Sequence, residues 1–589
     1  MSSLPSAREF GSVLIANRGE IALRIVRACR DAGLTSIAVH ADQDADALFV
    51  NAADHAVALG GTTATQTYLA IDKLLFAAKD TGAQAVHPGY GFLAENADFA
   101  QAVIDAGLVW IGPPPQVIRD LGDKVTARAI AAAVGAPLVV GTDRPVTGAD
   151  EVTAFAHQHG LPVAIKAAFG GGGRGLRVVR SMDDVTDMFS SAVSEAQAAF
   201  GRGECFVEQF VDRGRHVEVQ VLADSHGTVA VVGTRDCTLQ RRHQKLVEEA
   251  PAPYLSDAQR GMLEQAAADI CRAAGYVGAG TVEFLLAPNG QLSFLEVNTR
   301  LQVEHPVTEE TADLDLVREQ LRIAAGAPIT RLGPAPRRHA IELRINAEDP
   351  SRNFAPAAGT LTRFDPPSGP GVRLDTGTRA GDVVSDRFDS LLAKLIVVGA
   401  DRPQALQRAR RALGEFEVSG VPTTISFLRT VLDEPAFSAT TAAAFTVHTR
   451  WIEQEFPPAQ HNDSPQPAEP ARMTVRIGER WLTVAVPGLA TAQDGPLAQV
   501  RARGRTQGAE PDAAGDTVVT PMQGTVIRVA VAEGEQVQHG DVIAVIEAMK
   551  MENAVTAPRA GRVVELTVAV EDSVAQGAPV CRIAADEAA

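Results

Sequence analysis

Residues 547–551 read Glu547-Ala548-Met549-Lys550-Met551, and they join two copies of one segment. Thr520-Pro521-Met522-Gln523-Gly524-Thr525-Val526 is echoed by Ala557-Pro558-Arg559-Ala560-Gly561-Arg562-Val563. The register then holds at a spacing of 37 through Val537 and Val574, Gly540 and Gly577, and Ile546 and Ile583. Each copy alternates short Val-rich runs with Gly turns, so the pair predicts a small pseudo-symmetric β-sandwich. The central connection then becomes an exposed hairpin tip with Lys550 at its end. An amine on a rigid tip suits an attached group that swings between sites; the alternative is an ordinary surface lysine.

This stretch resembles the biotin carboxyl carrier domain, whose hallmark is Ala-Met-Lys-Met. The resemblance implies an all-β, biotinyl/lipoyl-like flattened barrel over residues 517–585, with biotin attached to Lys550 by a biotin protein ligase. A lipoyl domain shares the internal symmetry, but its lysine usually follows Asp and precedes Ala. The methionines flanking Lys550 favour biotin.

The 589-residue chain is long enough for about four domains. It is 46% hydrophobic and 21% charged, the balance of a globular protein, and its net charge of −18 opposes nucleic acid or an anionic membrane as main partner. The N-terminus has no apolar signal core, and no stretch is long and apolar enough to span a bilayer. Cys29, Cys205, Cys237, Cys271 and Cys581 are scattered without a Cys-x-x-Cys pair, so reduced thiols in the cytoplasm are expected and a structural zinc site is not. Seven lysines (Lys73, Lys79, Lys124, Lys166, Lys245, Lys394, Lys550) stand against 47 arginines. A chain that writes arginine almost everywhere keeps lysine where a compact ammonium or a free amine is required, although codon composition produces the same bias. Lys73 and Lys79 read as plain surface residues.

Residues 12–115 alternate strand and helix: Ser12 to Ala16, a helix from Ile21 to Ala32, then strands at Thr35 to His40, Ala85 to His87 and Leu108 to Ile111. That order predicts a mainly parallel sheet. Asn17-Arg18-Gly19-Glu20 is not a dinucleotide fingerprint. A long mixed section follows to about residue 452. Pro- and Asp-rich text from Pro457 to Pro467 and a loose stretch from Arg501 to Asp516 read as linkers, and a strand-like piece from Met473 to Val486, with Trp481, interrupts them. Such linkers let a carrier visit distant sites at high local concentration.

Lys166-Ala167-Ala168-Phe169-Gly170-Gly171-Gly172-Gly173-Arg174-Gly175 follows the strand-like Pro162 to Ile165. Glycines admit backbone N–H groups close to phosphate, but no Gly-Lys-Ser/Thr follows, so this is not a P-loop; alone, it also reads as a flexible turn. Two further strand-like runs, Gly280 to Leu286 and Gln291 to Asn298, flank Ala287-Pro288-Asn289-Gly290. With Asn289-Gly290 as the turn, Glu283 falls opposite Glu296, an arrangement that needs a cation between the two. These carboxylates with Asn298 are hard ligands suited to Mg²⁺ or Mn²⁺ on nucleotide phosphates; a solvated glutamate pair is the alternative.

Together these motifs resemble the ATP-grasp biotin carboxylases. The likeness runs from Ile15-Ala16-Asn17-Arg18-Gly19-Glu20 and His87-Pro88-Gly89-Tyr90-Gly91-Phe92-Leu93, through Gly122-Asp123-Lys124, Arg235-Asp236-Cys237, Arg241-Arg242-His243-Gln244-Lys245 and Thr299 to Glu309, to Arg344-Ile345-Asn346-Ala347-Glu348-Asp349-Pro350. Phe169 departs from it, standing where many relatives have a small residue. The resemblance implies α/β and α+β architecture: a Rossmann-like N-terminal domain over residues 8–120, an ATP-grasp domain over 121–330 with a lid at about 138–210, a C-terminal domain over 331–452 and a linker over 453–516. It implies that Lys124, Lys166, Gly171, Gly172, Gly173, Glu208, Phe210, Val211, His216, Gln240, His243, Glu283 and Glu296 surround ATP. Glu283, Glu296 and Asn298 would hold the metal. Lys245, Arg300, Gln302 and the Val303 backbone would clamp bicarbonate. Glu304 would be the general base that readies bicarbonate for attack on the γ-phosphate, giving carboxyphosphate in a closed site. Arg344 would offer positive charge to biotin as its N1 proton leaves, the alternative being a structural salt bridge. Cys237 is expected to be a buried, inert thiol.

The residues between the ATP-grasp part and the carrier are too few for a carboxyltransferase, so the expectation is the α subunit of an acyl-CoA carboxylase rather than pyruvate carboxylase. A separate carboxyltransferase β subunit would accept the carboxyl group onto acetyl-, propionyl- or longer acyl-CoA. Met473 to Val486 is then either a remnant of a subunit-docking domain or a linker hairpin. A homodimer of carboxylase domains or a larger α/β hetero-oligomer is expected. Two competing readings are a carbamoyl-phosphate-type ligase bearing a fortuitous carrier and a non-catalytic scaffold.

Overall fold

Residues 10–168, 176–330, 337–456, 471–477, 480–486, 517–520, 524–548, 551–570, 572–574 and 577–584 are described by the computed structural model. They divide into two units, Met1–Pro350 with Ala357–Pro458, and Ser351–Pro356 with Ala459–Ala589.

In the first unit, a five-stranded parallel sheet runs in the order His55–Ala58, Thr35–His40, Ser12–Ile15, Ala85–His87, Val109–Trp110. Val13, Leu14 and Ile15 are wholly buried, as the central strand of a sheet covered on both faces requires. The helix after it starts at Gly19 and ends at Asp31, two residues earlier at its start than the apolar pattern indicates. The sequence reading misses His55–Ala58 because this edge strand is only four residues long and largely exposed, too short to show alternation.

The larger sheet of this unit has eight strands, in the order Leu292–Asn298, Gly278–Leu286, Arg215–Ala223, Val229–Arg241, Gln244–Ala250, His339–Asn346, Leu391–Gly399, Val372–Thr376, all antiparallel. A separate antiparallel sheet places Val163–Ala167 between Leu176–Val179 and Cys205–Gln209. Helices Ala149–His159 and Val185–Phe200 accompany it.

Glu283 does pair with Glu296, though by another route. The turn closes at Ala287, whose N–H donates to Gln291 O (2.8 Å), which pairs Leu286 with Leu292, Leu285 with Ser293 and Phe284 with Phe294. That is one residue out of the expected register. A bulge before Glu296 then restores it, so Val282 meets Val297 and Thr281 meets Asn298.

In the second unit, two four-stranded sheets have the orders Thr517–Val519, Pro579–Ala584, Gly561–Val564, Gln536–Val537 and Met551–Thr556, Val542–Ala548, Gly524–Val529, Ser573–Val574. A shift of 37 residues carries each sheet onto the other, strand for strand, so each sheet holds strands of both copies. Val526 and Val563, Val537 and Val574, and Ile546 and Ile583 are all buried in one core. Gly540 (φ 92°) and Gly577 (φ 77°) both sit in the left-handed region at equivalent turns. Val542–Ala548 pairs with Met551–Thr556 as far as Ala548 opposite Met551. Lys550 itself, with Met549, lies outside the described residues, as do Phe169, Gly171, Gly172, Gly173, Arg174 and both linker stretches. Ala471–Ile477 and Arg480–Val486 pair as an antiparallel hairpin, so the single strand-like piece is two strands. Among the described residues no helix is long and apolar enough to cross a membrane.

Candidate active site

Three neighbouring strands of the eight-stranded sheet put Glu218, Glu283 and Glu296 side by side in register. Paired residues of a sheet share a face, so one face carries a row of three carboxylates. Lys245 reaches the row because the two-residue turn Arg242-His243, both at positive φ (47° and 67°), pairs Arg241 with Gln244 and Gln240 with Lys245. The Lys245 ammonium donates to Glu218 Oε2 (2.7 Å), Glu283 Oε1 (3.0 Å) and Glu304 Oε1 (2.6 Å). Glu304 stands just before the helix His305–Ala312 and is wholly buried; its other oxygen accepts from Arg344 (3.0 Å). Arg344 also bonds Glu248 on the adjacent strand.

The charges settle each other. Burial opposes ionisation of Glu304, but Lys245, Arg344 and Arg235 outweigh it and hold the carboxyl well below the usual range. Glu283 is likewise lowered, by Lys245 and His216 against burial. Glu248 goes the other way: burial, reinforced by Glu304, pushes it up to about 7 despite Arg344. Burial raises the Cys237 thiol well above its ordinary value, and its Sγ lies 3.8 Å from Glu304 Oε1, the inert thiol expected.

Arg300 joins three side chains here. It donates to Glu95 Oε2 (2.9 Å), Gln302 Oε1 (2.8 Å) and Asn298 Oδ1 (3.0 Å). Gln302 and Asn298 in turn donate to Glu283 Oε1, at 3.2 and 2.8 Å. Glu283 and Glu296 on one face, with Asn298 two residues on, form an all-oxygen donor set that fits a hard divalent cation. The Asn298 amide turns its oxygen to Arg300 here, so ligation by that oxygen requires the amide to rotate. His216 lies 3.0 Å from Glu283 Oε2, and Gln240 Nε2 is 3.4 Å from His216 Nδ1.

The residues expected to surround a nucleotide lie beside these groups. Asp123 caps the helix Lys124–Ala133 through Thr126 N–H and so sets Lys124 in its first turn, 3.7 Å from Glu296 Oε2. Lys166, next to last on the strand Val163–Ala167, pairs with Glu208 on the neighbouring strand. Lys124, Arg128, Lys166, Phe206, Glu208, Phe294 and Leu295 line one small cavity. Phe210 and Val211 follow the Glu208 strand, the Phe210 N–H bonding Pro162 O (3.0 Å). Burial lowers His243, with Lys166, His216 and Lys124 adding to it.

Sequence reasoning gave no role to four groups here, one of them, Arg235, inside a quoted motif. Arg128, one helical turn beyond Lys124, pairs with Glu208 Oε2 (3.1 Å), a spacing that could have flagged it. Glu218 sits in a strand whose alternate residues His216, Glu218 and Gln220 are buried and polar, a readable signal. Arg235, wholly buried, bonds Glu218, Gln220 (2.8 Å), Thr308 (2.8 Å) and Thr281 (2.9 Å). Glu248 had no signal, since only the sheet order brings it to Arg344.

Four family models match the chain in succession: "Biotin carboxylase, N-terminal domain" over residues 9–118, "Carbamoyl-phosphate synthase L chain, ATP binding domain" over 123–332, "Biotin carboxylase C-terminal domain" over 342–454 and "Biotin-requiring enzyme" over 516–583. The α3 subunit of a biotin-dependent acyl-coenzyme A carboxylase from Mycobacterium leprae is 55% identical across 99% of this chain and 100% of its own length. A biotin carboxylase from Nostoc is 48% identical over 73% of this chain and 96% of its own. Among solved structures, the biotin carboxylase of Campylobacter jejuni superposes with a TM-score of 0.73 at 39% identity, over 76% of this chain and 99% of that one. The biotin carboxylase domain dimer of the Hydrogenobacter thermophilus 2-oxoglutarate carboxylase, solved with MgADP and bicarbonate, gives 0.72 at 40% identity, over 75% and 97%. With likeness of this degree along its whole length, and carboxylase and carrier segments in the same order, the chain belongs to the α subunits of biotin-dependent acyl-CoA carboxylases, ATP-dependent ligases that carboxylate biotin.

Proposed function

We propose that Glu304 is the general base of bicarbonate activation and that Lys245, Arg300, Gln302 and the Val303 backbone hold the bicarbonate beside it. The observation that carries this is the Glu304 carboxylate, wholly buried yet gripped by Lys245 (2.6 Å) and Arg344 (3.0 Å). So held, it is a weak base. An anion that draws Lys245 toward itself loosens the grip and raises the proton affinity of Glu304, so the base is switched on by its own substrate. Lys124, Lys166, Arg128, Glu208, His216, Gln240, His243 and the segment around Phe210 and Val211, with Gly171 to Gly173, surround ATP in this reading. Mg²⁺ or Mn²⁺ at Glu283, Glu296 and Asn298 would supply charge neutralisation on the transferring phosphoryl group. Biotin, joined to Lys550 by a biotin protein ligase, supplies the nitrogen that takes the carboxyl group. Arg344 presents fixed positive charge where negative charge develops on the acceptor.

The domain division follows the same reading: residues 8–120, 121–330 with its lid, 331–452, the linker 453–516 and the carrier 517–585. A carboxyltransferase β subunit is the partner, the assembly is a homodimer of carboxylase domains or a larger α/β hetero-oligomer, and the setting is the cytoplasm. Glu304→Gln tests the assignment. Bicarbonate-dependent ADP release should fall by about 100-fold, the low end for a lost general base, with nucleotide affinity unchanged. Release at the wild-type rate would remove Glu304 from the role.

A further inference from the structure

Lys394 is one of seven lysines, and no role above uses it. Its side chain is wholly buried, and its ammonium donates to the Val303 carbonyl (3.0 Å) while standing 2.9 Å from Glu20 Oε1 and 4.0 Å from Asp375 Oδ2. In the sheet it pairs directly with Arg344. Two cations opposed across neighbouring strands repel unless each is engaged elsewhere. Here they grip consecutive residues of one loop: Arg344 holds the Glu304 side chain, and Lys394 holds the carbonyl of the peptide that carries it.

From these contacts we propose that Lys394 is a positioning residue that fixes the Val303–Glu304 peptide, and with it both the backbone beside bicarbonate and the base. This rests on the reading of Glu304 given above.

Behind Lys394, the two N-terminal motifs find their use. Asn17 donates to the carbonyls of Pro88 (2.7 Å) and Tyr90 (2.8 Å), and the Tyr90 hydroxyl donates to Glu20 Oε2 (2.5 Å). Gly377 packs on the same turn so closely that a Cβ there would meet Gly19 C and Glu20 N at 2.5 Å. Glu20 is thus a fixed anchor, and Lys394 carries that fixity across to the catalytic loop. The site is small and its partners diverge, a carbonyl on one side and carboxylates on the other. A compact ammonium suits it, and a planar guanidinium fork does not, which accounts for lysine in an arginine-rich chain.

The test is the double variant Lys394→Met/Glu20→Gln in the full chain, which removes both charges and leaves Asp375 paired with Arg373 (2.8 Å). Loosening the loop by about an ångström should cost about 100-fold in kcat/KM for bicarbonate, while the affinity for ATP and bicarbonate-independent ADP release stay at wild-type values. A merely structural role would lower all three together, or none, and either result overturns the proposal. Glu20→Gln alone, nearly isosteric, gives the same split in smaller measure should the double variant fail to fold, and an unchanged bicarbonate KM in that variant also overturns it. Glu304→Gln run in parallel separates the failures. Wild-type activity there sinks the base assignment, whereas its loss beside an unaffected Lys394 variant sinks only the positioning role.

Discussion

Glu249 shows how one carboxylate sets acid stability away from the chemistry. It is buried on the strand Gln244–Ala250, 2.7 Å from His339 Nε2 and 2.7 and 3.0 Å from two nitrogens of Arg402, which opens the helix Arg402–Glu415. Burial opposes its charge, but Arg402 and His339 bring the carboxyl down from 4.5 to about 2. A lowered carboxylate stabilises the fold above its unfolded value and loses that contribution as pH falls toward the folded one, so the window is about pH 4.5 down to 2. Glu249→Gln should therefore cost about 3 kcal/mol at pH 7 and the same at pH 5, with the gap narrowing at pH 3.5. Urea unfolding at the three pH values measures it, and a gap that widens with acid would contradict the assignment. At this scale the sequence singled out candidate residues but not their partners. Lys245, Glu304, Arg344 and Arg235 stand in legible motifs, whereas Glu218 and Glu248 reach them only through sheet pairing between distant segments.

Among elements, the Glu283–Glu296 hairpin shows how a correct expectation can hide two compensating irregularities. The turn is one residue out of the expected register and the bulge brings it back, and neither is visible in alternation alone. The two glutamates differ in what surrounds them. Glu283 is buried against Lys245 and His216, while Glu296 is partly exposed and only 3.7 Å from Lys124. In metal-free protein, Glu283→Gln should then cost about 3 kcal/mol, as losing one partner of a buried pair does. Glu296→Gln should shift stability by no more than about 0.5 kcal/mol. Both should abolish Mg²⁺-dependent ATP turnover. Equal stability losses from the two in unfolding experiments would show that the row of carboxylates is not balanced as described. The carrier repeat was legible because its copies share one core, in which each buried Val or Ile has a Val or Ile 37 residues away.

For the whole chain, the account divides the work between a carboxylase and a carrier joined by linker. Lys550→Arg should abolish biotin incorporation while leaving ATP-dependent carboxylation of free biotin intact; loss of both activities would show that the two parts do not work separately. The order of the eight-stranded sheet, which joins strands from Arg215 to Gly399, was not legible in the sequence, since periodicity marks strands and not their neighbours. Motifs singled out candidate residues; non-local pairing brought them together. ADP release by the purified chain with Mg-ATP, with and without bicarbonate and each with and without free biotin, tests the central claim most directly. The account predicts release that needs bicarbonate and is accelerated by biotin. Release that needs bicarbonate but is indifferent to biotin would contradict it.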